Sequence, residues 1–410
     1  MKKFLSFFAM SAIVLGMAFT FNACGGNDAN NPENPQVNNE YFTVAVSPVE
    51  PVANQQVKMH ITITAREDVY RFVLTDFTKK EAEDEGCLTL EGLLEKYPNI
   101  TTYLHTNLGK PLEYDDTKNS ETEYVLVLFA LDDKKQPIAD SWIVITFKTP
   151  STEALLNGAI NGLFTVDLNQ QVRFSKGNLR YKPASGVWEF AEKQYDFVGK
   201  GNAHISPNYD GWIDLFGWGT GDNPTLSTTE NSDYATFTNW GNNPISNGGD
   251  KAHQWRTLTQ SEWDHLLRVR ANAKELFGFG TVDGVNGLII LPDNWTLPTG
   301  LNFIPSTKKG LDYHGYYYYN DYENNFSHNA FTAKQWAQQM QPAGAVFLPA
   351  AGYREGTEVS LVGSAGYYWL STPKKEGYSS AGEFNSSALT LDYNYSVYCG
   401  RSVRLVQDVK

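Results

Sequence analysis

Between Tyr378 and Tyr398 the chain concentrates the side chains that recognise other molecules. Tyr378, Ser380, Asn385, Ser387, Asp392, Tyr393, Asn394, Tyr395 and Tyr398 are the candidate ligand-binding residues. Tyrosine supplies a large amphipathic contact at low entropic cost, while Ser, Asn and Asp adapt their hydrogen bonds, as in antibody loops. The same residue types also make soluble turns and edge hairpins. The chemistry implied is recognition, without a bond made or broken. A second tyrosine-rich run, Tyr313 to Tyr319, competes for that role as a further patch or as an insertion packed on a core.

Catalytic patterns are thin. His204, His253, His265, His314 and His328 form no HExxH or close i, i+4 pair. Ser364, Ser371 and Ser379 lie outside any GxSxG elbow. No P-loop or dinucleotide fingerprint appears, and we expect no enzyme activity and no cofactor. A structural Ca²⁺ among the Asn/Asp-rich loops has suitable oxygen donors, yet no position can be named.

A binding segment needs a rigid support. Val403 and Leu405 alternate with Ser402, Arg404 and Gln407, the pattern of a closing strand with one buried face. Thr259 to Glu262 and Thr332 to Gln335 are capping boxes that open helices carrying Trp263 and Trp336. Both tryptophans are expected on one core. With short strands and Gly-rich loops such as Gly217 to Gly221, residues 155–410 read as an α+β domain.

Upstream, residues 41–150 read as all-β. Val57, Met59, Ile61 and Ile63 alternate; Val69 to Phe77 follows; Tyr124 to Leu131 is apolar on both faces; Ser141 to Phe147 closes a hairpin. A short helix around Glu91 to Tyr97 is an insertion. The strand order resembles an immunoglobulin or fibronectin-III-like sandwich, which implies a spacer.

Residues 1–23 read as a signal peptide: Lys2 and Lys3, then an apolar run ending Phe21-Asn22-Ala23 before Cys24. A small residue before Cys resembles a bacterial lipobox, so Cys24 is the expected lipidation site and lipid the expected anchor. The expected location is the outer membrane at the cell surface, although the lipobox fixes acylation and not the face that is reached. Residues 24–40, with six Asn and two Pro after Cys24, form the expected flexible tether.

The 410-residue chain carries a formal charge of −13, or −15 once Lys2 and Lys3 leave with the leader. That balance excludes nucleic acid and polybasic lipid binding. Cys87 and Cys399 fall in different units and make no disulfide framework.

Four motifs carry a resemblance. Trp255 to Trp263, WRTLTQSEW, resembles the WRLPTEAEW segment of the formylglycine-generating-enzyme-like branch of the C-type lectin fold. Gly344 to Arg354, GAVFLPAAGYR, and Gly366 to Thr372, GYYWLST, resemble the signature of the Fibrobacter-type major paralogous domain found in surface lipoproteins of anaerobes. Gly400 to Val406 resembles their closing strand. The resemblance spans about residues 160–406 and implies a C-type-lectin-like head whose C-terminal part is an exposed binding face. In some relatives a retroelement diversifies that face. The oxidases of the family use a cysteine pair; this domain has Cys399 alone, so their activity does not carry over. The Glu-Pro-Asn type triplet of Ca²⁺-dependent sugar binding is absent, and Pro292-Asp293-Asn294-Trp295 reads as a turn. The function implied is adhesion to a protein or glycan on another cell or host. A structural envelope or fimbria-like subunit, or an enzyme with an unfamiliar site, are the other readings.

Overall fold

The computed structural model describes residues 36–52, 56–311, 316–319 and 324–409. The leader, Cys24, most of the tether, and Tyr313 and His314 lie outside the described residues.

The first eight strands pair only with one another. Strands β1 (Gln36–Asn38), β2 (Phe42–Val52), β3 (Gln56–Ala65) and β6 (Leu112–Asn119) form one antiparallel sheet in the order β1-β2-β3-β6. Strands β5 (Leu104–Thr106), β4 (Arg71–Thr78), β7 (Glu123–Leu131) and β8 (Ile143–Lys148) form the other, in the order β5-β4-β7-β8. The tether is therefore shorter than expected: Val37 pairs with Val44 before residue 40 is reached.

Val57, Met59, Ile61 and Ile63 are all buried and meet Leu126, Leu128 and Ala130 across the two sheets. Burying each such side chain is worth about 1.5–3 kcal/mol. Val125, Val127 and Phe129 point the other way, onto helices α1 (Lys79–Asp84) and α2 (Leu90–Lys96). This third layer explains why β7 is apolar on both faces. Helix α2 is the expected insertion. Helix α1 was not expected, although Thr78 and Glu81 form a complete capping box at its start.

Past the short helix α3 (Thr152–Leu156), residues 159–409 build a second body. Strands β9 (Phe164–Asp167) and β10 (Gln170–Phe174) pair with the last strand, β25 (Val406–Asp408). Strands β11 (Leu179–Lys182) and β12 (Val187–Phe190) form a hairpin. A four-stranded sheet runs β17-β13-β14-β18, from Ala330–Phe331, Phe277–Val282, Val285–Ile290 and Val346–Pro349. Strands β19 (Tyr353–Glu355) and β20 (Glu358–Ser360) make a small hairpin. The largest sheet runs β15 (Lys308–Leu311), β16 (Tyr317–Tyr319), β23 (Ala388–Thr390), β22 (Tyr378–Asn385) and β21 (Ala365–Pro373), with β24 (Asn394–Ser396) also on β22.

Long irregular segments between β12 and β13 are pinned by tryptophans. Trp369 donates its indole N–H to Phe216 O at 2.6 Å, and Trp218 donates to Leu370 O at 2.9 Å. Both expected capping boxes are present. They open α4 (Gln260–Asp264) and α5 (Ala333–Gln335), and each runs on as a π-helical turn. Their tryptophans do not share a core, however: Trp263 packs with Phe174 and Leu348, Trp336 with Met340 and Phe347.

The closing segment also departs from the expected one-faced alternation. Ser402 and Arg404 are buried along with Val403 and Leu405. Arg404 reaches Gln194 Oε1 at 2.9 Å, and burial pulls its pKa down to about 9. A buried guanidinium that donates to amide and carbonyl oxygens through its two terminal nitrogens looks, in sequence, like an exposed arginine.

Candidate functional site

The support for the C-terminal stretch is the β21–β22 hairpin, in which Tyr367 faces Glu383 and Trp369 faces Ala381. The other edge of β22 takes two strands in succession. Thr390 of β23 pairs with Glu383, and Asn394 of β24 pairs with Ser380. Three residues, Leu391 to Tyr393, thus span the place of two, Ala381 and Gly382. The extra residue forces a bulge. Leu391 turns into the core, and Asp392, Tyr393 and Asn394 are exposed.

Beneath the bulge lies a buried polar network centred on Glu383, a residue 7% exposed. Tyr316 donates to its carboxylate at 2.5 Å, Tyr367 at 3.1 Å, and Tyr395 donates as well. The Arg401 guanidinium, 4% exposed, lies over the rings of Tyr395 at 4.1 Å, Tyr367 at 4.7 Å and Trp369 at 5.0 Å. Buried charges need such partners, and here aromatic faces stabilise the cation while phenol hydroxyls satisfy the anion. Burial first, then the Glu383 charge, push the phenols of Tyr395 and Tyr367 up from their usual values, so both stay protonated donors.

Tyr393, 37% exposed, rests its ring on Tyr395 at 5.1 Å and on Tyr316 at 6.2 Å. Its neighbour Asp392 accepts from Lys374 at 2.8 Å and from Gln260 at 2.9 Å. The bond from Lys374 holds that carboxyl below its usual range.

The expected site residues therefore divide. Asp392, Tyr393 and Asn394 form one exposed group. Tyr378 and Tyr398 are half-buried, Tyr378 under the Lys375 ammonium and Tyr398 donating to Glu355 at 3.1 Å. Asn385 is a turn maker whose Oδ1 accepts from the backbone N–H of Ser387 and of Ala388, each at 3.0 Å. Ser387 is half-buried in that turn. Ser380 and Tyr395 do not belong to a contact surface. Ser380 is fully buried and donates to Gln260 at 3.0 Å, and Tyr395 is tied to Glu383.

Residues that sequence reasoning missed are Gln260, Tyr316, Tyr367, Lys374, Glu383 and Arg401. The tyrosine-rich run is no separate patch in its described part. Tyr317 and Tyr318 pair with Leu389 and Ala388, Tyr319 is buried in the core, and Tyr316 joins the network. The Pro292 to Trp295 turn is structural: Asp293 binds Arg270 at 2.9 Å and accepts from Thr165 N–H at 2.8 Å. Cys87 and Cys399 are free, buried thiols, both raised in pKa by burial.

Among the described residues, no group of three or more His, Cys, Asp or Glu could hold a metal ion, and no helix is long and apolar enough to cross a membrane. No family model, no curated protein and no solved structure matches the chain.

Proposed function

We propose that the protein is a surface-exposed lipoprotein that binds a protein or glycan on another cell or host through the Asp392-Tyr393-Asn394 bulge. In this reading Cys24 carries the lipid, the Ig- or fibronectin-III-like body is a spacer, and a C-type-lectin-like body of the major paralogous type is the head.

One observation carries it: Tyr393 is an exposed aromatic ring held by two tyrosines that are locked onto a buried carboxylate. A ring fixed before binding loses little freedom on association, which is the property of an interface anchor. Asp392 and Asn394 flank it with hydrogen-bonding groups. The chain as a whole carries a net charge of −13, which favours partners with basic or neutral faces.

The test is binding of the purified, fluorescently labelled chain to panels of bacterial and epithelial cells, read by flow cytometry. The expected result is saturable binding to at least one cell type, weakened about tenfold or more by Tyr393→Ala, with unchanged thermal unfolding. Binding that survives Tyr393→Ala at full strength overturns the assignment. A chain that binds only itself, as sedimentation would show, favours a structural envelope subunit instead.

A further inference from the structure

A separate cleft lies elsewhere, and none of its lining residues belongs to the C-terminal stretch. It encloses about 740 Å³ between the β11–β12 hairpin, the loops that follow it, and the β13–β14 turn. That volume falls within the ~300–1,000 Å³ of small-ligand sites.

Its floor is rigid. Asp214, 2% exposed, accepts from the Val198 N–H at 2.8 Å and from Asn202 Nδ2 at 2.7 Å. Asn202, itself fully buried, is fixed in turn, because its Oδ1 accepts from the backbone N–H of Asp214 at 2.9 Å and of Leu215 at 3.1 Å. Beside it, Asn178 is fully buried and donates to the Tyr368 hydroxyl at 3.1 Å. Each carboxylate oxygen has a second acceptor site beyond the bond already made.

One wall is aromatic. Trp212 is half-buried, and the Arg180 guanidinium lies 4.4 Å from its ring centre. Arg180 is anchored by its ion pair with Glu189, which fixes the indole through the stack. Tyr209, also half-buried, lines the same wall and packs on His204 at 5.7 Å.

The charges argue against an anion. Asp196, Asp214 and Asp283 line the cavity with Arg180 and Lys193, and Arg180 is already neutralised by Glu189. A fixed aromatic wall in the same cleft as planar acid and amide groups suits a ligand with an apolar face and many hydroxyls. Each hydroxyl can both donate to a carboxylate and accept from an amide. Burial of Asp214 pushes its pKa up to about 6 against the opposing pull of its hydrogen bonds and of Arg180, and a donating hydroxyl would offset part of that burial.

We propose that this cleft is a second binding site, specific for a neutral oligosaccharide, with Trp212 and Tyr209 as the stacking wall and Asp214 and Asn178 as the hydrogen-bonding floor. It acts independently of the Tyr393 bulge.

The test is a printed array of neutral cello-, malto-, xylo-, manno- and chito-oligosaccharides beside uronic- and sialic-acid-bearing ones, probed with the full chain. The best array probe is then titrated calorimetrically against variants. The expected result is capture by neutral oligosaccharides, weakened about tenfold or more by Trp212→Ala and by the rim variant Tyr209→Ala, and unchanged by Tyr393→Ala. Capture of no neutral oligosaccharide, or of acidic ones only, overturns the proposal. So does capture that both cleft variants leave intact. Capture lost with Tyr393→Ala, and kept by both cleft variants, assigns the glycan to the bulge and supports that site alone.

Discussion

The Tyr395 hydroxyl donates to the Glu383 carboxylate from the strand next but one in sequence, and both side chains are buried. Tyr395 therefore positions the contact surface without belonging to it. Tyr395→Phe removes one of three phenol donors from a buried anion. We expect it to cost about 1–3 kcal/mol in urea unfolding, the range for a buried group left short of a partner.

Glu383 and Arg401 share two partners, the Tyr367 and Tyr395 side chains, whose hydroxyls donate to the carboxylate and whose rings face the guanidinium. Glu383→Leu leaves the hydroxyls of Tyr316, Tyr367 and Tyr395 without their acceptor. At about 1–3 kcal/mol for each buried group left unpaired, the expected loss is larger than for Tyr395→Phe, measured by the same unfolding curves. A loss smaller than that of Tyr395→Phe would show that the carboxylate is not the centre of the network.

Tyr393→Ala separates binding from stability. The ring sits at the surface, so unfolding should move by no more than about 0.5 kcal/mol, plus the small edge contact with Tyr395. Cell binding, by contrast, should fall by about tenfold or more.

Asp214 sets a pH dependence. Its carboxyl, raised to about 6 by burial, keeps a proton in the folded chain that an unfolded chain, with a carboxyl near 3.8, has released. Between about pH 4 and 6 the folded state binds more protons, so this group makes stability fall as pH rises. A displacement of about two pH units corresponds to ~3 kcal/mol across that window. Asp214→Asn should remove this slope, so the stability difference between variant and wild type should change between pH 4 and pH 7. A difference that stays constant would place the Asp214 carboxyl in its ordinary range.

If a retroelement diversifies this stretch, as the resemblance implies for some relatives, a positional prediction follows. Deep sequencing of the 3′ end of the gene across one lineage should find substitutions at Asp392, Tyr393 and Asn394. Ser380 and Tyr395 should stay fixed, since both are buried and bonded. A uniform sequence at all of these positions would mean a fixed binder with one constant partner.

Local signals in the chain were readable where one residue type has one dominant use. The alternation of Val57, Met59, Ile61 and Ile63, and the capping boxes at Thr259 and Thr332, appear in the fold as the pattern implies. The box at Thr78 carries the same signal but lies at the end of an apolar strand, which masked it. The site was only half legible. Tyr393 and Tyr395 are two residues apart and chemically identical, yet one is exposed and the other buried. What separates them is Glu383 across the sheet, and an acidic residue in sequence gives no hint that it is an internal hub. The same holds for Arg401 and Arg404, whose burial depends on rings and amides far away in the chain. The cleft was invisible for a related reason. Arg180, Trp212 and Asp214 meet because the backbone bridge between Tyr181 and Ile213 lays an irregular segment beside β11, and tryptophan N–H groups pin that segment to β21.

The extra residue between Thr390 and Asn394 has an evolutionary consequence. Ladder pairing resumes at Asn394 after the exposed Asp392 and Tyr393, so the tip lies outside the ladder that frames it. New chemistry can be tried at Asp392 and Tyr393, or a residue added there, while Tyr395 keeps its place over Glu383. A lineage could thus change what it holds without relearning how to fold.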